Sequence, residues 1–247
     1  MTTSAIPGRA VLATAAESHE RFRPGYPDEV VDRTLAYAGR QVATAVEIGA
    51  RTGKAARAFA SRGVRVTALE PDPEMFAVLQ RETLGMQVQP LRRRLEEYDG
   101  PGPDLVYAAA SWHRVDARTR CRRSAGLLPD GGVLAVLGCT VEVLDHDLRS
   151  MIRRVAPPYP GEVGEVDEPG RIRQEVRSSG MFSATQEHVV VRRVLRPQRE
   201  YVGYLSTVAG YAGLPQRTRQ RVVHRLADLL PAQVPLELTF RLHLARR

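Results

Sequence analysis

The sequence predicts an α/β fold: a mostly parallel seven-stranded sheet with helices on both faces, ending in a C-terminal antiparallel hairpin. Three observations point there. Apolar runs of strand length alternate with amphipathic runs of helix length between residues 42 and 137, the grammar of parallel strands joined by crossover helices. Turn signals separate them, among them Glu70-Pro71-Asp72-Pro73, Gly100-Pro101-Gly102-Pro103 and Pro129-Asp130-Gly131-Gly132. Finally, two strand-like stretches, 185–195 and 236–245, follow the parallel series and suit a hairpin on the sheet edge.

Residues 10–20 read as a helix, broken by Arg23-Pro24-Gly25-Tyr26-Pro27, because two closely spaced prolines cannot continue one. Asp28 is the expected N-cap of a helix over 28–39 and Gly39 its C-cap. A strand at 42–48 ends in glycine and leads into a helix at 54–62, with Ala55, Ala58, Phe59 and Ala60 as its apolar stripe. The unit then repeats: a strand at 64–69, and a helix at 74–84 with Met75, Val78 and Leu79 inward. Strands at 86–91 and 104–108, a helix at 117–127 and a buried strand at 133–137 complete the parallel series. Between 139 and 182 the pattern loosens into a turn-rich stretch with three prolines from Pro157 to Pro160, flanked by helices at 145–155 and 169–179. Helices at 198–210 and 215–230 separate the last two strands. The domain division that follows is an N-terminal helical cap over 1–40, an α/β core over 41–138, a lid or substrate-recognition insertion over 139–182, and the completion of the sheet over 183–247.

Composition bounds the function classes. A chain of 247 residues, 43% hydrophobic and 26% charged, is long enough to bury one substantial core. Its net charge of +8 is almost entirely arginine, since Lys54 is the single lysine. Nucleic-acid binders cluster their cations and interleave aromatics for stacking, whereas these arginines are scattered and aromatics make up 6% of the chain. The runs Arg92-Arg93-Arg94 and Arg118, Arg120, Arg122, Arg123 read as solvated faces before phosphate contacts. No apolar run reaches the roughly 20 residues of a bilayer span, and the N-terminus lacks the order of a signal peptide, so a cytoplasmic protein is expected. Cys121 and Cys139 show no metal-binding spacing; both are expected to be reduced and packed, and no metal site is expected.

The chemistry-bearing segment is Val46-Glu47-Ile48-Gly49-Ala50-Arg51-Thr52-Gly53-Lys54, where a strand hands over to a helix. Glycines there let backbone approach a ligand, and a helix N-terminus offers unpaired N–H groups. About twenty residues on, at the end of the next strand, Glu70 is placed to accept both hydroxyl protons of a ribose. Glycine loop, second-strand acid and strand–helix alternation together describe a nucleoside-binding crevice.

These segments resemble those of the class I S-adenosylmethionine (SAM) dependent methyltransferases, of the small-molecule type abundant in actinobacteria, which share a Rossmann-like sheet. The resemblance covers residues 17–140 well and the rest loosely. Arg23-Pro24-Gly25-Tyr26-Pro27 is similar to the family's N-terminal element, Glu47 to Gly53 to its glycine motif, and Leu69-Glu70-Pro71-Asp72-Pro73 with Met75 to its second motif. Leu95-Glu96-Glu97-Tyr98, Ala110-Ser111-Trp112-His113 and Leu128-Pro129-Asp130-Gly131-Gly132 resemble later segments. The resemblance implies that SAM is the cofactor, with Glu47 orienting the loop or the amino-acid part, Gly49, Ala50 and Gly53 allowing close approach, and Glu70 holding the ribose. It implies Pro71 and Met75 beside adenine, Glu96 near the adenine amino group, and Arg23 and Tyr26 over the methionine end. Simpler readings stand beside these: Glu47 as a loop cap, Met75 as helix core, Arg23 as surface.

One departure bears on function. The family places a glycine where this chain has Arg51, and a left-handed non-glycine residue costs roughly 1–2 kcal/mol. Arg51 therefore turns outward, pairs with an anionic group, or fills space the cofactor needs. After Trp112-His113 comes Arg114 instead of a further aromatic, so Arg51, Trp112 and Arg114 are candidates for a substrate or anion site. His113 is the candidate acid–base residue, placed by a strand end over the crevice, although alignment alone can suffice for transfer from a sulfonium. His19 is placed to line the same mouth; the remaining histidines read as surface or strand. Three readings follow: methyl transfer to a small molecule in specialised metabolism; a methyltransferase-like enzyme that has lost SAM and uses Arg51 for an anionic leaving group in ring closure or elimination; and a pseudoenzyme that stabilises a protein partner.

Overall fold

The computed structural model describes residues 14–155, 170–208, 211 and 214–247. In chain order it has helices α1 (Ala15–Phe22) and α2 (Asp28–Tyr37), strand β1 (Thr44–Ile48), α3 (Lys54–Ala60), β2 (Arg65–Leu69), α4 (Pro73–Glu82), β3 (Val88–Leu91), β4 (Leu105–Ala109), α5 (Arg120–Leu127) and β5 (Val133–Val143). Then come α6 (His146–Val155), α7 (Arg171–Ser178), β6 (Ala184–Pro197), α8 (Gln198–Thr207), α9 (Gln216–Leu229) and β7 (Gln233–Arg246). The predicted helix start at 10–13, the proline-rich stretch within 156–169 and the predicted helix end at 209–210 lie outside the described residues.

The seven strands form one sheet in the order β3-β2-β1-β4-β5-β7-β6. The first five are parallel, and β7 is antiparallel to both β5 and β6. The chain leaves β1 for β2 on one side and returns to β4 on the other, so a crevice opens at the carboxyl ends of β1 and β4, where α/β sheets bind ligands. The predicted terminal hairpin is an antiparallel pair joined through α8 and α9, with β7 inserted against β5 and β6 left at the edge.

Three local expectations are corrected. Asp28 is the first helical residue of α2, and Pro27 occupies the cap position, because the proline's fixed φ of −63° suits a helix start as well as a side-chain cap does. The buried stripe of α3 is Ala55, Ala56 and Phe59; Ala58 and Ala60 are half-buried. Strand β5 runs six residues beyond the predicted 133–137, because β7 supplies hydrogen-bonding partners as far as Val143↔Leu236. Residues 139–143 therefore belong to the sheet and not to an insertion.

Apolar side chains pack on both sheet faces. Phe59, Tyr107, Leu226 and Phe240 belong to one layer, and Trp112, Leu128, Ile172 and Val176 to the other. The second layer contains a buried ion pair: Arg120 donates through Nε to Glu175 Oε1 at 2.5 Å and through Nη1 to the Trp112 carbonyl at 2.6 Å, with its guanidinium 5.0 Å over the Trp112 ring. Arginine runs read as solvated in sequence are thus divided: Arg120 is 4% exposed, Arg118 pairs with Asp116, and Arg93 pairs with Asp99.

Candidate active-site crevice

The crevice is built by two sharp corners at strand ends. After β1, Gly49 (φ +66°), Arg51 (φ +56°) and Gly53 (φ +84°) turn the chain into α3. After β4, Ala110 (φ +54°) turns it so that Ser111 donates back to the Ile48 carbonyl. Arg51 and Ala110 are the two non-glycine residues with positive φ among the described residues, and strain of this kind gathers at functional corners. The glycines serve packing against protein as well as turning. A Cβ on Gly49 would lie 2.7 Å from Ser111 Cβ, and one on Gly53 would lie 2.6 Å from Leu79 Cδ1. They let the loop sit tightly on β4 and α4, which leaves its other side to face the crevice.

Glu70 organises this loop. One carboxylate oxygen accepts from the Arg51 N–H at 2.7 Å and the other from the Asp72 N–H at 2.9 Å. The group is 4% exposed, and burial raises its pKa against the pull of those two bonds. Glu47, at the end of β1, is 1% exposed and accepts from the Tyr107 hydroxyl at 3.1 Å. Burial pushes its pKa up to about 8, so near neutral pH its resting form is mainly the acid.

Arg51, on the cleft wall, is tied to α1. Its Nε donates to His19 Nε2 at 3.0 Å, which places the imidazole proton on Nδ1, facing Thr52 Oγ1 at 3.2 Å. Burial, followed by the charges of Arg51, Arg23, Lys54 and Arg114, holds the His19 pKa down to about 2. Helix α1 is thereby fastened over the loop, and Glu20 adds an ion pair to Arg57 at 2.7 Å and one to Lys54 at 3.5 Å.

A cleft of about 570 Å³ lies beneath, with Arg23, Tyr26, Glu47, Ala50, Arg51 and Lys54 among its walls. Arg23 donates to the Thr207 carbonyl at 2.9 Å and stacks 5.3 Å over Tyr204, and Tyr26 rests 5.9 Å from the Phe240 ring. Of the residues singled out in sequence, Glu70 is buried at the loop, while Pro71 and Glu96 are exposed and Met75 is half-buried. None of these four lines the cleft.

The anion-site candidates separate. Arg51 lines the cleft, Arg114 is exposed on neither cavity wall, and Trp112 is buried under Arg120. Past the tight turn after Ala110, Trp112 lies off the cleft wall, while the charge of Arg114 still reaches His19 beside Arg51. His113 is exposed and borders a second cavity on the other side of the Ala110 corner. Tyr107, Thr52, Lys54 and Cys139 escaped the sequence reading. Lys54 carried a usable signal as the single lysine, next to the glycine loop. Among the described residues no group of side chains is arranged to hold a metal ion, and no helix is long and apolar enough to cross a membrane.

No protein-family model matches the chain. Uncharacterized methyltransferases of Mycobacterium tuberculosis and Mycobacterium bovis are 30% identical to it over 222 residues, covering 89% of this chain and 85% of theirs. Among solved structures, a candidate type II methyltransferase from Anaeromyxobacter dehalogenans superposes with a TM-score of 0.65 at 19% identity, over 91% of this chain and 97% of that one. A SAM-dependent methyltransferase from Thiobacillus denitrificans, solved with S-adenosylhomocysteine (SAH), gives a TM-score of 0.51 at 17% identity, over 92% and 96% of the two chains.

Proposed function

Because the chain belongs to the class I SAM-dependent methyltransferases, with SAM as cofactor, we propose that it methylates a small molecule, and that Arg23, Tyr26, Glu47, Ala50 and Arg51 hold the amino-acid end of SAM while Glu70 holds its ribose. The observation that carries this is the cleft at the β1/β4 switch point, which is lined by the glycine-loop residues Ala50 and Arg51 and by the buried carboxyl of Glu47. The residues fit the cofactor. Glu70 is aimed into the glycine turn with each oxygen retaining a lone pair, and Glu47 offers an acceptor in a cleft whose other charged wall residues are Arg23, Arg51 and Lys54. Pro71, Met75 and Glu96 stand at the β2 and β3 ends, on the side given to adenine.

When bound, SAM supplies an electrophilic methyl group on a sulfonium. The protein's part is alignment and exclusion of water, which α1 and its fastening to Arg51, Arg57 and Lys54 provide. His113 is the group placed to take a proton from an acceptor on the far side of the Ala110 corner. Calorimetric titration with SAH should give micromolar affinity, and absence of binding at millimolar SAH would defeat the proposal. With radiolabelled SAM, label should pass to the small-molecule fraction of a host extract; label confined to macromolecules would defeat the small-molecule part.

Two further results are expected here. If the cofactor's ammonium meets Glu47, the carboxyl ionises on binding, and SAH binding at pH 7 releases roughly 0.9 proton, the fraction of a group of pKa about 8 that is protonated there. Calorimetry in buffers of different ionisation enthalpy counts that proton, and Glu47→Gln should abolish its release. Arg51→Gly removes the bond to His19 while relieving the left-handed backbone, so folding stability should shift by no more than about 1 kcal/mol. SAH should bind about five- to tenfold more weakly, the worth of one ordinary hydrogen bond fastening α1. Tighter binding would show instead that the guanidinium obstructs the cofactor.

A further inference from the structure

A second cavity, also of about 570 Å³, lies beyond the Ala110 corner and shares Ala110 and Cys139 with the cofactor cleft as common walls. Its floor is a patch of sheet. The cross-strand pairs Val136↔His243, Gly138↔Arg241 and Thr140↔Thr239 bring six side-chain positions of β5 and β7 to one face. Trp112 and His113 close one end, and Arg171 and Ile172 of α7 stand over it.

The chemistry of this wall is one-sided. Among the described residues, not one carboxylate lines it, whereas Arg171, Arg241, His113 and His243 do. Glu187, across the sheet on β6, offsets part of that charge: it receives Arg241 at 3.4 Å and stands 3.9 Å from His243 Nδ1. Arg171 makes no ion pair among the described residues. Trp112 is 3% exposed and its indole N–H is buried without an acceptor among those residues. A buried donor without an acceptor costs about 1–3 kcal/mol, which a ligand acceptor or water relieves. Val136, Leu137 and Ile172 give it an apolar side, and Ser111, Thr140 and Thr239 add neutral hydroxyls.

We infer that this cavity takes the methyl acceptor, and that the acceptor is a small anion with an apolar body, its negative group met by Arg171 and Arg241 and its body lying on the Gly138 strand. The inference rests on the methyltransferase reading above and adds the substrate class. Gly138 supplies the steric test: a Cβ there meets nothing within 4 Å, so a leucine enters the void without clashing with the sheet. Arg171 is exposed, so its replacement by glutamine leaves the fold intact.

The experiment is ligand-observed NMR and calorimetry on the full chain saturated with SAH, with 1-naphthoate as probe and 1-naphthamide as its neutral counterpart. Naphthoate is expected to bind the wild type, at least tenfold more tightly than naphthamide, and at least tenfold more weakly to Gly138→Leu and to Arg171→Gln. Both variants should keep SAH affinity within twofold, which certifies their fold. Equal binding of acid and amide, undiminished naphthoate binding in the two variants, or no naphthoate binding to the wild type would each overturn the inference. Failure of the wild type to bind SAH would overturn the reading beneath it, a result independent of the naphthoate arms.

Discussion

Replacing Glu70 by glutamine is expected to weaken SAH binding at least 100-fold and to lower folding stability by roughly 1–3 kcal/mol. The carboxylate performs two tasks with the same two oxygens. Toward the protein it accepts the Arg51 and Asp72 N–H groups, and toward the proposed ligand each oxygen has a lone pair left for a ribose hydroxyl. Glutamine has one oxygen. Whichever way its amide turns, an NH₂ faces a backbone N–H, so one donor loses its acceptor in a place where water is excluded. The loop then loses one of its two ties to Glu70, and the strained left-handed backbone at Arg51 is held less firmly. A site built around hydroxyl recognition discriminates steeply once its own polar groups are left unpaired, which is why affinity should fall further than stability. Calorimetry with SAH and urea denaturation measure the two effects separately. SAH affinity within threefold of the wild type would remove Glu70 from the ribose site; lost affinity with unchanged stability would show that the loop is held by other means.

How much of this was legible in the sequence depends on the range of the interaction concerned. Strand–helix alternation is a local signal, and the parallel strands, the glycine turn and the acid at the end of β2 were read from it within a residue or two. The extent of β5 was not, because Cys139–Val143 are held as strand by β7, about a hundred residues later. The setting of Trp112 was not legible for the same reason: it borders the second cavity, and the residues that pack it there are Arg120, on the next helix, and Glu175, which fixes Arg120 from α7. Arg51 was recognised as a departure, yet its direction is decided by His19, thirty-two positions earlier on α1. Of the second cavity, the segment Ala110 to His113 was singled out in the sequence, and the rest has no sequence signature. Its floor consists of pairs such as Gly138↔Arg241, which only the antiparallel register brings together.

The wild-type protein is expected to show a flat stability profile between pH 4.5 and 6.5 that hides two opposed titrations. His19 has an ordinary pKa of 6.5 and a folded value of about 2. As the pH falls through 6.5 the unfolded chain takes a proton that the folded one refuses, so His19 lowers stability progressively on acidification, by up to about 1.4 kcal/mol per unit. Glu47 does the reverse. Its ordinary value is 4.5 and its folded value about 8, so the unfolded chain releases a proton above 4.5 that the folded one retains, and stability falls as the pH rises toward 8. In the shared window the two slopes cancel. Glutamine at either position exposes the other: His19→Gln should lose stability as pH rises from 4.5 to 6.5, and Glu47→Gln should gain it, each by up to about 2.7 kcal/mol. The glutamine oxygen can still accept from Arg51 in the first variant, so the comparison isolates the proton. Urea denaturation at four pH values decides the matter, and parallel profiles for the three proteins would refute both assignments. Ligand binding should run against apo stability. A cationic ammonium favours ionised Glu47, so SAH affinity should rise from pH 6 to 8 over the interval in which the free protein becomes less stable, and the cost of burying that carboxylate is met only when the cofactor is present.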